Sequence, residues 1–126
     1  MITTMSKTIL VVDDDKLIRE GMVALLKSAG QTVLEAADGK EGLAVALEQH
    51  PDLIVTDVRM PNMDGLQMIE AVREDTWGKK VPVVILTNDD SNQSVNQALE
   101  SGVMVYLAKN LDPSSLTQQI LQVAGE

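Results

Sequence analysis

Short, continuous runs of Val, Ile and Leu recur along the chain, and they predict strands that are buried on both faces. Four of these runs are strongly apolar: Thr8–Val12, Leu53–Thr56, residues 81–86 and residues 103–107. A weaker fifth run lies at Thr32–Ala36. Strands with one face in water alternate apolar and polar residues instead, whereas parallel strands covered by helices do not. The pattern therefore predicts a parallel sheet of five strands.

Apolar residues at helical spacing fill the segments between these runs. The first helix is predicted to end before Gly30, and the second to open at a capping box from Asp38 to Glu41. The remaining three helices are predicted over residues 65–74, from about residue 90 to residue 100, and over residues 113–123. Five strands that alternate with five helices predict a three-layer α/β sandwich with right-handed crossovers.

Composition limits the class of protein. The chain has 126 residues, of which 44% are hydrophobic, so we expect one domain over residues 1–126 with a core from about 7 to 124. Because there is no cysteine, disulfides, thiolate metal sites and cysteine nucleophiles are excluded. A net charge of −9 disfavours binding to nucleic acid. With neither a signal peptide nor a run long enough to span a membrane, the sequence favours a soluble cytoplasmic protein.

Polar side chains follow four of the predicted strands. Asp13, Asp14 and Asp15 follow the first strand, and Asp57, Thr87 and Lys109 stand at the ends of three others. Each alone is typical of a helix cap or a solvated surface residue. Sites in open parallel sheets form outside the carboxyl ends of the strands, however, so these groups are expected to converge. Carboxylates that converge repel one another unless a cation neutralises them, and a hard ion such as Mg²⁺ fits that need.

Four ordered strings place these residues in a known pattern. They are ILVVDDD at 9–15, PDLIVTDVRMPNMDG at 51–65, VVILT at 83–87 and YLAK at 106–109. Together they resemble a receiver domain of bacterial two-component response regulators, of the single-domain, chemotaxis-receiver-like type. The resemblance covers about residues 7–124. It implies a flavodoxin-like, doubly wound fold with the strand order 2-1-3-4-5.

The resemblance implies a phosphoacceptor and a metal site. Asp57 matches the residue that receives a phosphoryl group from the phosphohistidine of a histidine kinase or phosphotransfer protein. Asp13 and Asp14 match the acidic pair that holds Mg²⁺, or Mn²⁺, together with Asp57 and the backbone carbonyl of Arg59. Such a domain is not an enzyme in the ordinary sense, since it assists only its own phosphorylation and dephosphorylation.

The resemblance also implies a conformational switch. Thr87 matches the hydroxyl that turns toward the phosphoryl oxygens, and Lys109 matches the ammonium that pairs with them. Tyr106 matches the aromatic residue that moves inward when the threonine moves. A new dianionic group would thereby bias a two-state element that controls protein contacts.

Four positions depart from the family pattern or tune the phosphoryl lifetime. Asn110 replaces the proline that usually follows the lysine, and because a cis bond before a non-proline residue costs about 2.5–4 kcal/mol, we predict a trans Lys109–Asn110 bond. Asn88 stands where a small residue is common. Arg59 and Asp89 occupy positions that tune phosphoryl lifetime in the family, and their opposite charges predict a pair that slows self-dephosphorylation.

The face that carries the signal in this family comprises the fourth helix, the fifth strand and the fifth helix. Residues 91–101 carry one charge and residues 113–124 carry none. A charge-paired dimer is therefore not expected, and the sequence favours a monomer that contacts a downstream protein, with no direct binding to nucleic acid and no membrane insertion. A merely solvated surface is an equal alternative for this face.

Other functions remain open on the sequence alone. The chain could be a receiver excised from a hybrid kinase or a DNA-binding regulator, or a docking module that is never phosphorylated. An aspartyl-phosphate phosphatase would need a second Asp two residues after Asp57, where Arg59 stands. A flavin-binding domain would need a phosphate-cradling loop after the first strand, where three aspartates would repel the phosphate.

Overall fold

Over residues 6–87, strands and helices alternate as the apolar pattern predicts. The computed structural model describes residues 6–87, 105–108 and 113–124. Its elements in chain order are β1 (Thr8–Val12), α1 (Lys16–Ser28), β2 (Thr32–Ala36), α2 (Gly39–Gln49), β3 (Leu53–Thr56), α3 (Gly65–Glu74), a 3-10 turn (Trp77–Lys79), β4 (Val83–Thr87), β5 (Val105–Ala108) and the C-terminal helix (Pro113–Ala124). All strand pairs are parallel in the order β2-β1-β3-β4-β5, which confirms the predicted topology. The fourth predicted helix lies outside the described residues.

The sheet divides the core into two halves because successive strand residues point to opposite faces. Leu10, Val12 and Ile54 pack on one face with residues of α2 and α3. Ile9 and Val11 pack on the other face with residues of α1 and the C-terminal helix. Both halves are aliphatic, as the near absence of aromatic residues requires. Helices therefore cover both faces of the sheet and leave its carboxyl edge open for a site.

The start of β4 differs from the prediction. The apolar run begins at Val81, but the strand begins at Val83. Pro82 has no N–H to donate to a neighbouring strand, so regular pairing starts after it. Its carbonyl still accepts a hydrogen bond of 3.1 Å from the backbone N–H of Ile54. Val81 remains buried in the core, which explains why it belongs to the apolar run without belonging to the strand.

Aspartates cap three helices, and one prediction about them is wrong. Asp15 caps α1, accepting from the N–H groups of Leu17 and Ile18. Asp38 accepts from the Glu41 N–H at 2.8 Å, but the Glu41 carboxylate accepts from Ala37 instead of returning to Asp38. The predicted box is therefore only half formed. In the part of the chain that the structure describes, no helix is both long and apolar enough to cross a membrane.

A complete capping box forms at α3, where Asp64 and Gln67 each accept from the other's backbone N–H, at 2.8 and 3.1 Å. We expect Asp64→Ala to lower the free energy of unfolding by about 1 kcal/mol, because it leaves the Gln67 N–H without its cap. Chemical denaturation measures the change. Glu70→Ala is the control on the same helix, since Glu70 is exposed. An equal loss in both variants would contradict the assignment.

A stacked pair of rings joins the end of α2 to the 3-10 turn that follows α3, away from the open edge. His50 ends α2 in the left-handed conformation, with φ of 49°. Its ring lies 4.5 Å from that of Trp77, with an angle of 7° between the planes. His50 is exposed, and Trp77 is half-buried against the core. The sequence indicates no role for Trp77, because nothing local reveals a contact across 27 positions.

Candidate functional site

The first residues after β1 and β3 lie side by side at the carboxyl edge of the sheet. Val12 is paired with Thr56, so Asp13 and Asp57 are the next residues on adjacent parallel strands. The Asp57 N–H donates to the Val12 carbonyl at 3.1 Å, and the Asp13 N–H donates to the Ala36 carbonyl at 3.1 Å. The backbone ladder therefore continues one residue past the regular strands and positions both aspartates.

Three carboxylates meet at this edge. One oxygen from each of Asp13, Asp14 and Asp57 lies within 4.8 Å of the others. Asp13 is 3% exposed and Asp57 is 9% exposed, whereas Asp14 is open to solvent. Grouped oxygens of this kind suit a hard divalent ion. The predicted convergence of these three residues is thus present in the geometry, with two of them shielded from water.

Backbone N–H groups orient the two buried carboxylates. Asp13 Oδ1 accepts from the Asp15 N–H at 2.9 Å, and Asp57 Oδ1 accepts from the Val58 N–H at 2.6 Å. Charge-assisted hydrogen bonds of this length fix the direction in which a carboxylate points. Each donor is local to its acceptor in sequence, so the orientation is built into the strand ends.

The start of α3 packs directly on the backbone of Asp57. The Gly65 N–H donates to the Val58 carbonyl at 2.8 Å. A methyl group at Gly65 would overlap the Asp57 carbonyl oxygen, which is also the acceptor for the Thr56 hydroxyl at 2.9 Å. Only glycine permits this approach. The glycine in the string DG at 64–65 is therefore part of how the site is built.

The loop between β3 and α3 is attached to the start of α2. Asn62, in the left-handed conformation with φ of 70°, donates from Nδ2 to Asp38 Oδ2 at 3.0 Å. The Gly39 N–H donates to the Met63 carbonyl at 3.1 Å. The Glu41 backbone N–H, followed by the Asn62 amide, lowers the pKa of Asp38. The segment that follows Asp57, including the exposed Arg59, is therefore held at its far end.

The structure describes only some of the other predicted site residues. Thr87 is the last residue of β4, paired in register with Ala108 of β5, and Tyr106 is paired with Ile85. Thr87 therefore lies at the same edge of the sheet as the aspartates. Four further positions lie outside the described residues: Asn88, Asp89, Lys109 and Asn110. The predicted Arg59–Asp89 pair and the predicted trans Lys109–Asn110 bond therefore lie outside them too.

One residue at this edge escapes sequence reasoning. Arg19 of α1 donates from Nη1 to the Asp13 carbonyl at 2.7 Å, and it lines the same small cavity as Asp13 and Asp57. The signal in the sequence is weak: Arg19 lies one helical turn after the cap Asp15. A turn of helix places its Cα near the strand end, but the end of a long side chain depends on how the helix packs.

Comparisons with known proteins agree with this geometry. A family model described as the response regulator receiver domain matches residues 9–121. The nitrate/nitrite response regulator protein NarL of Escherichia coli K12 is 33% identical over 120 residues, which are 94% of this chain and 55% of NarL. The chain spans about half the length of several other curated relatives and 93% of two more.

Solved structures of similar fold cover nearly the whole chain. The chemotaxis response regulator CheY4 of Vibrio cholerae matches with a TM-score of 0.87 and 34% identity, over 95% of this chain and 99% of that one. The receiver domain of the sensor histidine kinase PA1611 of Pseudomonas aeruginosa PAO1 matches with a TM-score of 0.86 and 29% identity, over 97% and 100%. That structure holds a magnesium ion in its active site cleft.

Proposed function

We propose that this chain, which belongs to the response regulator receiver domain family, accepts a phosphoryl group on Asp57 and signals through protein contacts. The donor is the phosphohistidine of a histidine kinase or a phosphotransfer protein. The observation that carries the proposal is the grouping of the Asp57 carboxylate with those of Asp13 and Asp14 within 4.8 Å. Such a domain acts as a signalling module whose chemistry is confined to its own phosphorylation and dephosphorylation.

The transfer needs a nucleophile in a fixed position and little else from the protein. A carboxylate oxygen of Asp57 forms a bond to phosphorus while the bond from phosphorus to the donor histidine nitrogen breaks, and the imidazole leaves. The Val58 N–H orients the Asp57 carboxylate, and the 9% of Asp57 that is exposed is where a donor approaches from solvent. Positioning and charge neutralisation supply most of the catalysis in reactions of this class.

The acidic cluster fits Mg²⁺ by the chemistry of its donors. All three side chains offer oxygen, which hard cations prefer, and their mutual repulsion is relieved by a divalent charge. A magnesium ion held there would neutralise charge on the transferring phosphoryl group. We assign Asp13, Asp14 and Asp57 as its side-chain ligands, with the Arg59 backbone carbonyl as the fourth protein ligand. The magnesium ion in the PA1611 receiver domain supports this assignment; Mn²⁺ meets the same requirements.

Asp13→Asn tests the metal assignment. We expect it to weaken Mg²⁺ binding by about 10- to 100-fold, because a buried anionic ligand becomes neutral. Isothermal titration calorimetry measures the affinity. Asp15→Asn is the matched control: it removes the same charge two residues away, and asparagine retains the helix cap. Equal weakening in both variants would mean that only the general negative field attracts the ion.

The remaining roles are proposed on the family pattern and the placement of the strand ends. Thr87 and Lys109 would bind the phosphoryl oxygens, and movement of Thr87 would be coupled to Tyr106. Support comes from Thr87 and Tyr106 occupying adjacent parallel strands that end at this edge. The downstream partner would contact the face formed by the fourth helix, β5 and the C-terminal helix, whose exposed Gln118, Gln119 and Gln122 carry no charge.

Phosphoryl labelling tests the function itself. The protein is incubated with Mg²⁺ and acetyl phosphate, and intact mass spectrometry followed by peptide mapping detects and locates the product. We expect incorporation on the peptide that contains Asp57, lost on hydroxylamine treatment as acyl phosphates require, and prevented by EDTA. Absence of labelling with acetyl phosphate and with histidine kinases alike would favour a docking module that works without phosphorylation.

A further inference from the structure

The guanidinium group of Arg19 connects three elements behind the acidic cluster. Arg19 lies in the second turn of α1 and is only 14% exposed. Its Nη1 donates to the Asp13 carbonyl at 2.7 Å, and its Nε donates to Glu35 Oε1 of β2 at 3.1 Å. Glu35 is half-exposed, so one end of this bridge reaches the surface and the other reaches the site.

Asp13 is the residue on which this bridge acts. It follows the last regular pairs of β1, in which Val12 is in register with Ala36 and Thr56. Its N–H donates to the Ala36 carbonyl, and its Oδ1 accepts from the Asp15 N–H. The Asp13 carbonyl thus lies where the chain leaves the sheet and turns toward Asp14 and Asp15, and Arg19 donates a hydrogen bond to it.

We propose that Arg19 is a positioning residue of the acidic site. By holding the Asp13 carbonyl, it fixes the turn that brings the carboxylates of Asp13 and Asp14 to that of Asp57. Glu35 orients the guanidinium group from the far side. The expected effect of Arg19 on metal binding rests on the proposed function. Its expected effect on the backbone of Asp13 does not.

The sign of the metal effect separates positioning from charge. Arg19 carries a positive charge next to a site that binds a cation, so a purely electrostatic role predicts tighter Mg²⁺ binding when the charge is removed. A positioning role predicts the opposite, because ligands that are no longer held together bind more weakly. The two roles therefore give changes of opposite direction in a single variant.

The experiment compares Arg19→Met, Arg19→Lys and Glu35→Gln with the unmodified protein by calorimetric titration with Mg²⁺. We expect Arg19→Met to weaken binding about tenfold, the lower end of the range for groups that orient metal ligands, and Glu35→Gln only about threefold, because Glu35 acts through Arg19. Arg19→Lys keeps the charge and one donor and should recover part of the loss. Glu35→Gln also removes a negative charge, so weaker binding in that variant does not by itself separate the two roles. If Arg19→Met unfolds, Arg19→Lys keeps the test available, because it retains the positive charge and any loss of affinity then reports lost positioning.

Arg73 is the matched control. Like Arg19, it donates to the backbone from Nη1: its acceptors are the carbonyls of Gly78 at 2.7 Å and Val81 at 2.6 Å, on the segment that precedes β4. Arg73→Met should lower thermal stability about as much as Arg19→Met does, yet leave Mg²⁺ affinity within about twofold. A general loss of stability would weaken binding in both variants and would overturn the inference.

Amide hydrogen exchange in EDTA supplies a reading that needs no metal. We expect Arg19→Met, and not Arg73→Met, to speed exchange of the Asp13 N–H about tenfold, since the bond to Ala36 loosens when the carbonyl is released. Unchanged exchange, or Mg²⁺ affinity that is unchanged or tighter in Arg19→Met, overturns the inference. If the unmodified protein binds no Mg²⁺, the metal assignment fails and the exchange result alone decides the role of Arg19.

Discussion

Asp57→Asn is expected to abolish phosphoryl incorporation from acetyl phosphate, lowering the rate by more than about 1,000-fold. The amide oxygen carries no negative charge and cannot form a stable acyl phosphate, so the nucleophile is lost. The shape of the side chain is retained, and its oxygen can still accept from the Val58 N–H. Intact mass spectrometry over a time course measures the change.

The control for this variant lies at the other end of the same strand. Asp52 directly precedes β3, is exposed, and accepts from the Thr8 N–H at 2.9 Å. Asp52→Asn removes one charge and keeps that hydrogen bond, so labelling should continue at the unmodified rate. Labelling that persists in Asp57→Asn, or that falls equally in both variants, would place the acceptor elsewhere.

The free energy of unfolding in EDTA is a second measurement on Asp57→Asn. Because Asp57 lies within 4.8 Å of two other carboxylates, neutralising it relieves repulsion and should raise the free energy of unfolding by roughly 1 kcal/mol. Saturating Mg²⁺ should reverse the order, since the unmodified protein gains more from binding. A variant that is less stable than the unmodified protein in EDTA would show that the cluster is not under electrostatic strain.

The strands and the acidic cluster could be predicted because both follow from local pattern. Three of the five predicted strands coincide with the observed ones, since buried parallel strands are continuous apolar runs. Asp13 and Asp57 follow such runs, and parallel strands end at one edge, so their convergence needs no knowledge of side-chain packing. Pro82 explains the displaced start of β4. The apolar residues on both sides of it are buried, but proline has no N–H to donate to a neighbouring strand.

The capping boxes show where pattern alone is insufficient. Asp38–Glu41 and Asp64–Gln67 have the same spacing, yet only the second pair closes. Glu41 is anionic and is repelled by the Asp38 carboxylate, so it turns to the Ala37 N–H, whereas the neutral Gln67 can return to its cap. Charge within the motif therefore decides the outcome.

Long side chains set a second limit on prediction. The position of Arg19 on α1 can be read from the sequence, but its contacts with Asp13 and Glu35 depend on how α1 lies across β1 and β2. The stack of His50 on Trp77 is similar, because it joins the end of α2 to the 3-10 turn after α3 through tertiary packing. Contacts of this kind become visible only once the layers are assembled.

Gly65→Ala is expected to lower the free energy of unfolding by about 3 kcal/mol, the upper part of the range for overpacking. A Cβ at this position would overlap the Asp57 carbonyl oxygen and press on Thr56 Oγ1. The obstructing group is backbone, so it cannot rotate away as a side chain could. Either α3 must withdraw, which breaks the bond from the Gly65 N–H to Val58, or the end of β3 must move. Denaturant unfolding measures the loss.

Gly65→Ala should also slow phosphoryl transfer, because the displaced group is the backbone of the phosphoacceptor. A shift of about 1 Å in a reacting group can cost about 100-fold in rate, so acetyl phosphate labelling of the folded fraction should slow at least tenfold. Gly21→Ala is the control: Gly21 lies in α1, where an added methyl group would have no neighbouring atom within 4 Å, and alanine there should add about 0.5–1 kcal/mol. If Gly65→Ala kept both stability and labelling rate, the close approach of α3 would not be what holds Asp57 in place, and the loop attached to Asp38 would have to position it instead.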